Sequence, residues 1–195
     1  MKQVKKVLIA ILTITTLFAL CACGSSENPE QPTQSEQPTQ SAQPAADLGT
    51  RKNPAKINEP LSFDYAMFYT KEAAVTVTLT DVKIGDDAWK FLKESSELNS
   101  PADEGKEYIL AKFKVDLIKD LTGEDKSFDI NNYSFKYASA NYSIDQDFHL
   151  FFAKDQLDFE MFEGASEEGW AVFLVDKGEE HSYAVLFNDY WFELR

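Results

Sequence analysis

Cysteine is almost absent from this sequence. The chain has only two cysteines in 195 residues, Cys21 and Cys23, and both lie near its N-terminus. The rest of the sequence can therefore form no disulfide bond and can supply no thiolate to a zinc site or a redox centre. Any domain that folds there must be stabilised by packing and hydrogen bonding alone.

Positive charge is also scarce. The chain sets 19 lysines and arginines against 33 aspartates and glutamates, and its formal net charge is −14. Such a surface repels nucleic acid and anionic lipid head groups, both of which are bound through basic patches. The sequence also lacks a Gly-x-Ser-x-Gly nucleophile motif and a phosphate-binding glycine loop. We therefore expect no enzyme activity, no cofactor and no nucleic-acid partner.

The first residues carry the most specific motif of the chain. An apolar segment, residues 7–22, follows three lysines and is slightly short of the roughly 20 residues that span a bilayer. It ends in the box LCAC at 20–23, in which the small Ala22 directly precedes Cys23. This arrangement predicts a bacterial lipoprotein signal peptide over residues 1–22, cleavage between Ala22 and Cys23, and acylation of Cys23, for example with palmitate. An ordinary secretory signal with two incidental cysteines is the alternative.

Residues 23–50 are predicted to be a disordered linker that begins with the lipidated cysteine. The stretch from 24 to 50 contains no lysine, arginine or aromatic residue, and its hexapeptide EQPTQS at 30–35 is repeated at 36–41. Such a segment buries too little apolar surface to offset its ordering entropy. At about 3.1 Å per residue it could extend at most roughly 80 Å. With lipid on Cys23, it would hold a domain away from the extracytoplasmic face of the cell membrane.

The domain is predicted to cover residues 51–195 and to consist mainly of strands. Val75, Val77 and Leu79 alternate with threonines, and residues 109–117 show the same period of two, which is typical of strands with one buried face. Short strands separated by Gly, Asn, Asp and Ser predict an antiparallel β-sandwich. Further strands are predicted at 61–69, 133–137, 148–152, 157–162, 170–176 and 182–187, with a closing strand near 190–192.

One segment departs from the strand pattern. Asp86 is predicted to cap a short helix in which Trp89 and Leu92, together with Ala88 and Phe91, form an apolar stripe. We expect this helical insertion to lie across one end of the sandwich.

Several short runs resemble a known family. They are 53–59 (NPAKINE), 104–108 (EGKEY), 163–164 (EG) and 169–173 (GWAVF). These runs are similar to runs in an immunoglobulin-like domain of unknown function found in Gram-positive bacterial lipoproteins. That family is related in fold to small secreted mycobacterial antigens. The resemblance implies an immunoglobulin-like sandwich and an extracytoplasmic location, and it carries no catalytic residues. Family members usually have Gly where this chain has Asn58, a residue that also enters left-handed turns.

Two groups of residues are candidate sites. Alternation places Asp145, Asp147 and His149 on one strand face, where they are weak candidates for a metal or acid–base site. The favoured interpretation of this group is the solvated polar face of a strand. Alternation also sends Trp191 to the face opposite that of its neighbour Tyr190. If that face is exposed, the pair is a candidate surface for a ligand or a partner; otherwise Trp191 covers an edge or a loop of a closing strand.

Together these features predict a lipid-anchored, extracytoplasmic binding or protein-interaction module whose partner is an envelope protein or a wall component. One alternative is an envelope hydrolase or a metal-dependent activity, which would require polar groups from different strands to converge in a cleft. The other is an accessory subunit of a membrane complex, which would present an uncharged apolar patch.

Overall fold

Alternating apolar and polar residues form strands through most of the described chain. The structure, a computed structural model, describes residues 47–67, 70–145 and 151–195, which belong to one compact unit. Within these ranges lie ten strands, one α-helix and a 3₁₀ turn at Asn132–Ser134. The strands are β1 (Pro60–Met67), β2 (Thr70–Ile84), β3 (Lys106–Asp120), β4 (Phe128–Asn131), β5 (Phe135–Ser139), β6 (Ile144–Asp145), β7 (Asp158–Met161), β8 (Ser166–Asp176), β9 (Ser182–Leu186) and β10 (Tyr190–Glu193); the helix is α1 (Asp86–Ser95).

The strands form antiparallel sheets. Sheet I has the order β1-β2-β3-β8, sheet II has the order β10-β9-β5-β6, and β4 pairs with β7. The long antiparallel pair of β2 and β3 places Val77 opposite Val115, so the apolar residues of both strands point to the same face. The prediction of a mainly β, antiparallel protein with one short helix is therefore confirmed.

The main core lies between sheets I and II, in a sandwich-like arrangement. Val77, Leu79 and other inward residues of sheet I are fully buried, and they pack in one cluster with Leu186 and Phe192 of sheet II. Phe113 of sheet I joins the two layers, because its ring stacks on Phe135 at 4.2 Å and meets Phe192 edge-on at 5.2 Å between ring centroids. Aromatic pairs of this kind add to the free energy gained from apolar burial.

The helix does not lie where the sequence suggested. Its capping position is Gly85, which makes no side-chain cap, and Asp86 is the first residue of the helix and not its cap. Buried Ala88 and Leu92 pack on Leu110 and Trp170, which belong to β3 and β8. The helix therefore covers the outer face of sheet I and not an end of the sandwich. Its amphipathic stripe determines this position, because the outer face carries a matching apolar area at this point.

Some strand boundaries also differ from the prediction. The predicted strand 133–137 begins only at Phe135, because Asn131 caps the 3₁₀ turn through its side chain. Residues 148–150 lie outside the described residues, and Phe151 and Phe152 belong to no strand. Two short strands were missed, β4 and β6, because four and two residues are too few to show a period.

The packed region begins before Arg51. Leu48 packs against the main core, and the backbone carbonyl of Gly49 accepts a 2.8 Å hydrogen bond from the N–H of Trp191. Gly49 has φ of 81°, and a β-carbon there would lie 2.4 Å from a methyl group of Leu61. Glycine is required at this position both for its backbone conformation and for its close approach. Asn58 has φ of 64°, the left-handed conformation that was expected there.

Candidate functional site

A polar cleft of about 360 Å³ lies at the end of the domain where β3 begins and β8 ends. We call this the Glu107 end. Both sheets contribute to the cleft. Strands β3 and β8 belong to sheet I, and β5 of sheet II also ends there, just before the turn into β6. Its lining includes Lys106, Tyr137, Ser139, Asn141, Ser143 and Glu179. Hydroxyl, amide, ammonium and carboxylate groups thus converge in one depression.

A buried ion pair stands beside the cleft. Glu107 lies in phase with inward-facing Ile109 on β3, so a carboxylate occupies a core-facing position at the start of the strand. It is only 9% exposed, and its Oε1 accepts a 2.7 Å hydrogen bond from Nη1 of Arg195. The N–H of Gly178 donates to the same oxygen at 3.2 Å. The pair joins the beginning of β3 to the segment that follows β10.

Tyr137 connects this region to the cleft. Its hydroxyl donates a 2.8 Å hydrogen bond to Oε2 of Glu179, which also accepts one from the N–H of Ala140 at 3.1 Å. Burial raises the pKa of Tyr137 strongly, and the hydrogen bond to Glu179 raises it further. The phenol therefore remains protonated at neutral pH and acts as a donor.

The loop that shapes the other wall of the cleft is held by its own side chains. Asn141 Oδ1 accepts hydrogen bonds from the hydroxyl of Ser139 at 2.6 Å and from the N–H of Ser143 at 2.9 Å. Asx turns of this type fix the backbone locally. At the opposite wall, Lys106 forms a 2.7 Å ion pair with Asp176. The cleft is therefore preformed by hydrogen bonds within the protein.

Three buried polar atoms behind the cleft have no hydrogen-bond partner within the described part of the chain. They are Oγ of Ser182 and Nε and Nη2 of Arg195. Ser182 is fully buried, and its N–H donates to the backbone oxygen of Arg195 at 3.2 Å. Buried polar atoms without a partner are costly to folding.

Chemically, the cleft is suited to holding a polar ligand by hydrogen bonds. The phenol of Tyr137 is protonated and donates to Oε2 of Glu179, which also accepts from the N–H of Ala140. These groups offer both hydrogen-bond donors and acceptors to a ligand in the cleft.

The residues proposed from the sequence lie elsewhere. Tyr190 is half-buried, and its ring stacks on Phe63 at 3.7 Å between centroids. Trp191 is only 7% exposed and lies edge-on to Tyr142 and Tyr183 at 5.9 and 5.8 Å. The condition for an exposed Trp191 anchor is therefore not met. The ring covers the outer face of sheet II, and the half-exposed Tyr142 lies over it.

The metal candidates and the lipidation residues cannot be placed in the same way. Asp145 is the last residue of β6, whereas Asp147 and His149 lie outside the described residues, as do Ala22 and Cys23. Within the described ranges, no group of three or more His, Cys, Asp or Glu residues could hold a metal ion. The helix that the structure describes is too short and too polar to cross a membrane.

Comparison of the chain with known protein families, with curated proteins and with solved structures gave no match.

The cleft could not be predicted from the sequence because its groups are far apart in the chain. Glu107 and Arg195 are 88 residues apart, and Tyr137 and Glu179 are 42 residues apart. One signal was present in the sequence. Glu107 falls in phase with the apolar face of its strand, and a carboxylate at a core position needs a partner.

Proposed function

We propose that this protein is a lipid-anchored extracytoplasmic binding module in which an immunoglobulin-like domain presents the polar cleft at the Glu107 end to an envelope protein or a wall component. The anchor is supported by the LCAC box and by the linker that follows it. The domain arrangement is supported by two antiparallel sheets that share one core.

The observation that carries this proposal is the preformed cleft with a protonated phenol at its inner side. Tyr137 and Glu179 are hydrogen-bonded to each other, and the side chain of Asn141 accepts hydrogen bonds within the loop that forms the opposing wall. Polar groups that are fixed in advance bind with little further loss of conformational entropy. Binding is therefore the activity to which this geometry is best suited.

The anchor is tested by substituting the predicted acylation site. Wild-type protein and Cys23→Ala are expressed in a Gram-positive host with labelled palmitate, and label and membrane fractionation are followed. Label on the wild type alone, with release of processed Cys23→Ala into the medium, is the expected result. Equal labelling of both, or processed Cys23→Ala that stays on the membrane, would contradict the anchor. Cys21→Ala is the matched control and should behave as wild type.

The cleft is tested by filling it. Ser143 is exposed at its rim, so Ser143→Trp adds bulk there without disturbing the core. The full chain is used to capture partners from detergent-solubilised envelopes, with and without calcium. We expect the wild type to enrich one protein or wall polymer and Ser143→Trp to lose it. Ser100→Trp, at an exposed serine outside the cleft, is the control. Enrichment that is unchanged in Ser143→Trp would place the binding surface elsewhere.

A further inference from the structure

A second cavity, of about 120 Å³, lies at the opposite end of the domain. We call this the Asp120 end. The cavity is formed where β2 begins, where β3 ends and where β4 passes beside them. Ala73, Leu117 and Phe128 are buried residues that give it an apolar wall. Sites for drug-sized ligands enclose about 300–1,000 Å³. This cavity therefore has room for a ligand of only a few heavy atoms.

The polar side of the cavity offers hydrogen-bond acceptors beside the hydroxyls of Thr122 and Ser127. Tyr65, Glu72 and Asp129 line it, and none of their side chains makes a hydrogen bond with another described residue. Glu72 and Tyr65 are half-buried, whereas Asp129 is exposed. Burial raises the pKa of Tyr65, and the nearby Glu72 raises it further. Two carboxylates and a protonated phenol thus border an apolar wall.

A third carboxylate at this cavity is already occupied by the protein. Oδ1 of Asp120 accepts hydrogen bonds from the N–H and the hydroxyl of Thr122 at 2.8 and 2.6 Å. Oδ2 accepts one from the N–H of Lys126 at 3.1 Å. These contacts fix the loop that closes the cavity, and Asp120 remains ionised there. Its charge adds to the negative potential without offering an unoccupied acceptor.

One ammonium group, that of Lys126, also lines the cavity. Lys126 is held by Glu124 at 2.6 Å on the exposed rim. Its pKa is raised chiefly by Glu124, with Glu72 and Asp120 adding smaller effects in the same direction. Three carboxylates and one lysine line the cavity, so it remains net negative with this lysine in place.

We propose that this cavity binds a small primary amine in its ammonium form. The three N–H donors of an ammonium match acceptors on Glu72, Asp129 and Tyr65, and charge-assisted hydrogen bonds of this type are the strong ones. A short alkyl chain on the amine packs against the apolar wall at Phe128. The site is separate from the polar cleft and does not depend on the function proposed for it.

Calorimetric titration of the full chain in nonionic detergent with ethylamine tests the site. We expect saturable binding of ethylamine, no binding of acetate, and much weaker binding of tetramethylammonium, which has no N–H to donate. The substitutions Glu72→Gln and Asp129→Asn should each weaken ethylamine binding roughly tenfold. Glu97→Gln, at an exposed carboxylate on another part of the surface, controls for general charge and should change nothing.

Substitution of Lys126 should change the affinity for ethylamine in the opposite direction. Lys126→Gln removes a competing positive charge from the rim, so ethylamine should bind more tightly, by roughly threefold at low salt. An anion site would weaken in the same variant. The proposal is overturned if ethylamine does not bind, if tetramethylammonium binds equally well, or if Lys126→Gln weakens binding. Asp129 is exposed, so Asp129→Asn keeps the test valid if Glu72→Gln fails to fold.

Discussion

Charged groups differ in burial and in hydrogen bonding between the two ends of the domain. At the Glu107 end a carboxylate and a guanidinium are buried against each other, and Tyr137 bonds to a second carboxylate beside them. At the Asp120 end the loop carboxylate is satisfied by backbone and hydroxyl donors, and Glu72 and Asp129 face a cavity without hydrogen bonds. The same fold thus uses charge as part of its packing at one end and leaves it accessible at the other.

The buried charges of this domain support folding, whereas its accessible charges are available for recognition. When one member of a buried ion pair is removed, the other stays buried without a partner. The protein then bears the full free-energy cost of desolvating that charge. A carboxylate at a solvent-accessible cavity pays little for being unpaired, because water solvates it. Substitutions at the Glu107 end should therefore lower stability, whereas substitution of Glu72 or Asp129 at the Asp120 end should mainly alter binding.

The largest effect is expected from Glu107→Gln. The substitution keeps the shape of the side chain but leaves the buried guanidinium of Arg195 without its counter-charge, so unfolding in urea should show a loss of about 3 kcal/mol. Glu72→Gln makes the same chemical change at the Asp120 end and should change stability by less than about 0.5 kcal/mol. Equal losses in the two variants would remove the contrast between the ends.

A smaller effect is expected from Tyr137→Phe. This variant loses one hydrogen bond to Glu179, and the free energy of unfolding should fall by about 1 kcal/mol. Tyr65→Phe is the matched variant at the other end, where the hydroxyl makes no hydrogen bond with a described residue, and it should be close to neutral. Urea titration of both proteins measures the comparison, and a larger loss for Tyr65→Phe would reverse it.

Alternation in the sequence predicted the strands that build the core, because a long strand with one buried face has an unambiguous period. Residues 109–117 lie within β3, and Val75, Val77 and Leu79 point into the core as expected. In the first half of β3, however, alternation does not predict which residues are buried. Leu110 is on the outer face but is fully buried, because α1 packs over it. Alternation gives the two faces of a strand but not what covers them.

The candidate site could not be predicted from strand periodicity. Arg195 and Glu107 meet only because β3 and β10 bring their ends together from separate sheets, and sequence spacing contains no record of that contact. Trp191 was a prominent feature of the sequence, yet its ring is buried under Tyr142. A prominent aromatic side chain can cover the face of a sheet or form a binding surface, and only the tertiary structure distinguishes these roles.

The charge of Asp120 should make the free energy of unfolding depend on pH in the acid range. Hydrogen bonds from Thr122 lower the pKa of Asp120 from 3.8 to about 2 in the folded state. A carboxyl whose folded pKa is depressed stabilises the protein above its unfolded pKa, and this contribution is lost as the pH falls toward the folded value. Wild type should therefore be more stable than Asp120→Asn at neutral pH, and the difference should shrink between about pH 4 and about pH 2. Urea unfolding across this range measures it, and a difference independent of pH would show that the charge of Asp120 is not involved.

The smallest effect is expected from an exposed ion pair near the Asp120 end. Lys71 and Asp64 lie 2.6 Å apart on β2 and β1, with side chains 68% and 41% exposed. Solvent screening and the entropy of two long side chains leave such pairs with little net energy, so Lys71→Gln should change the free energy of unfolding by less than about 0.5 kcal/mol. The distance is shorter than the 2.7 Å of the Glu107–Arg195 pair, yet the expected effect is several times smaller. A loss in Lys71→Gln equal to that in Glu107→Gln would mean that distance, and not burial, determines what an ion pair contributes in this domain.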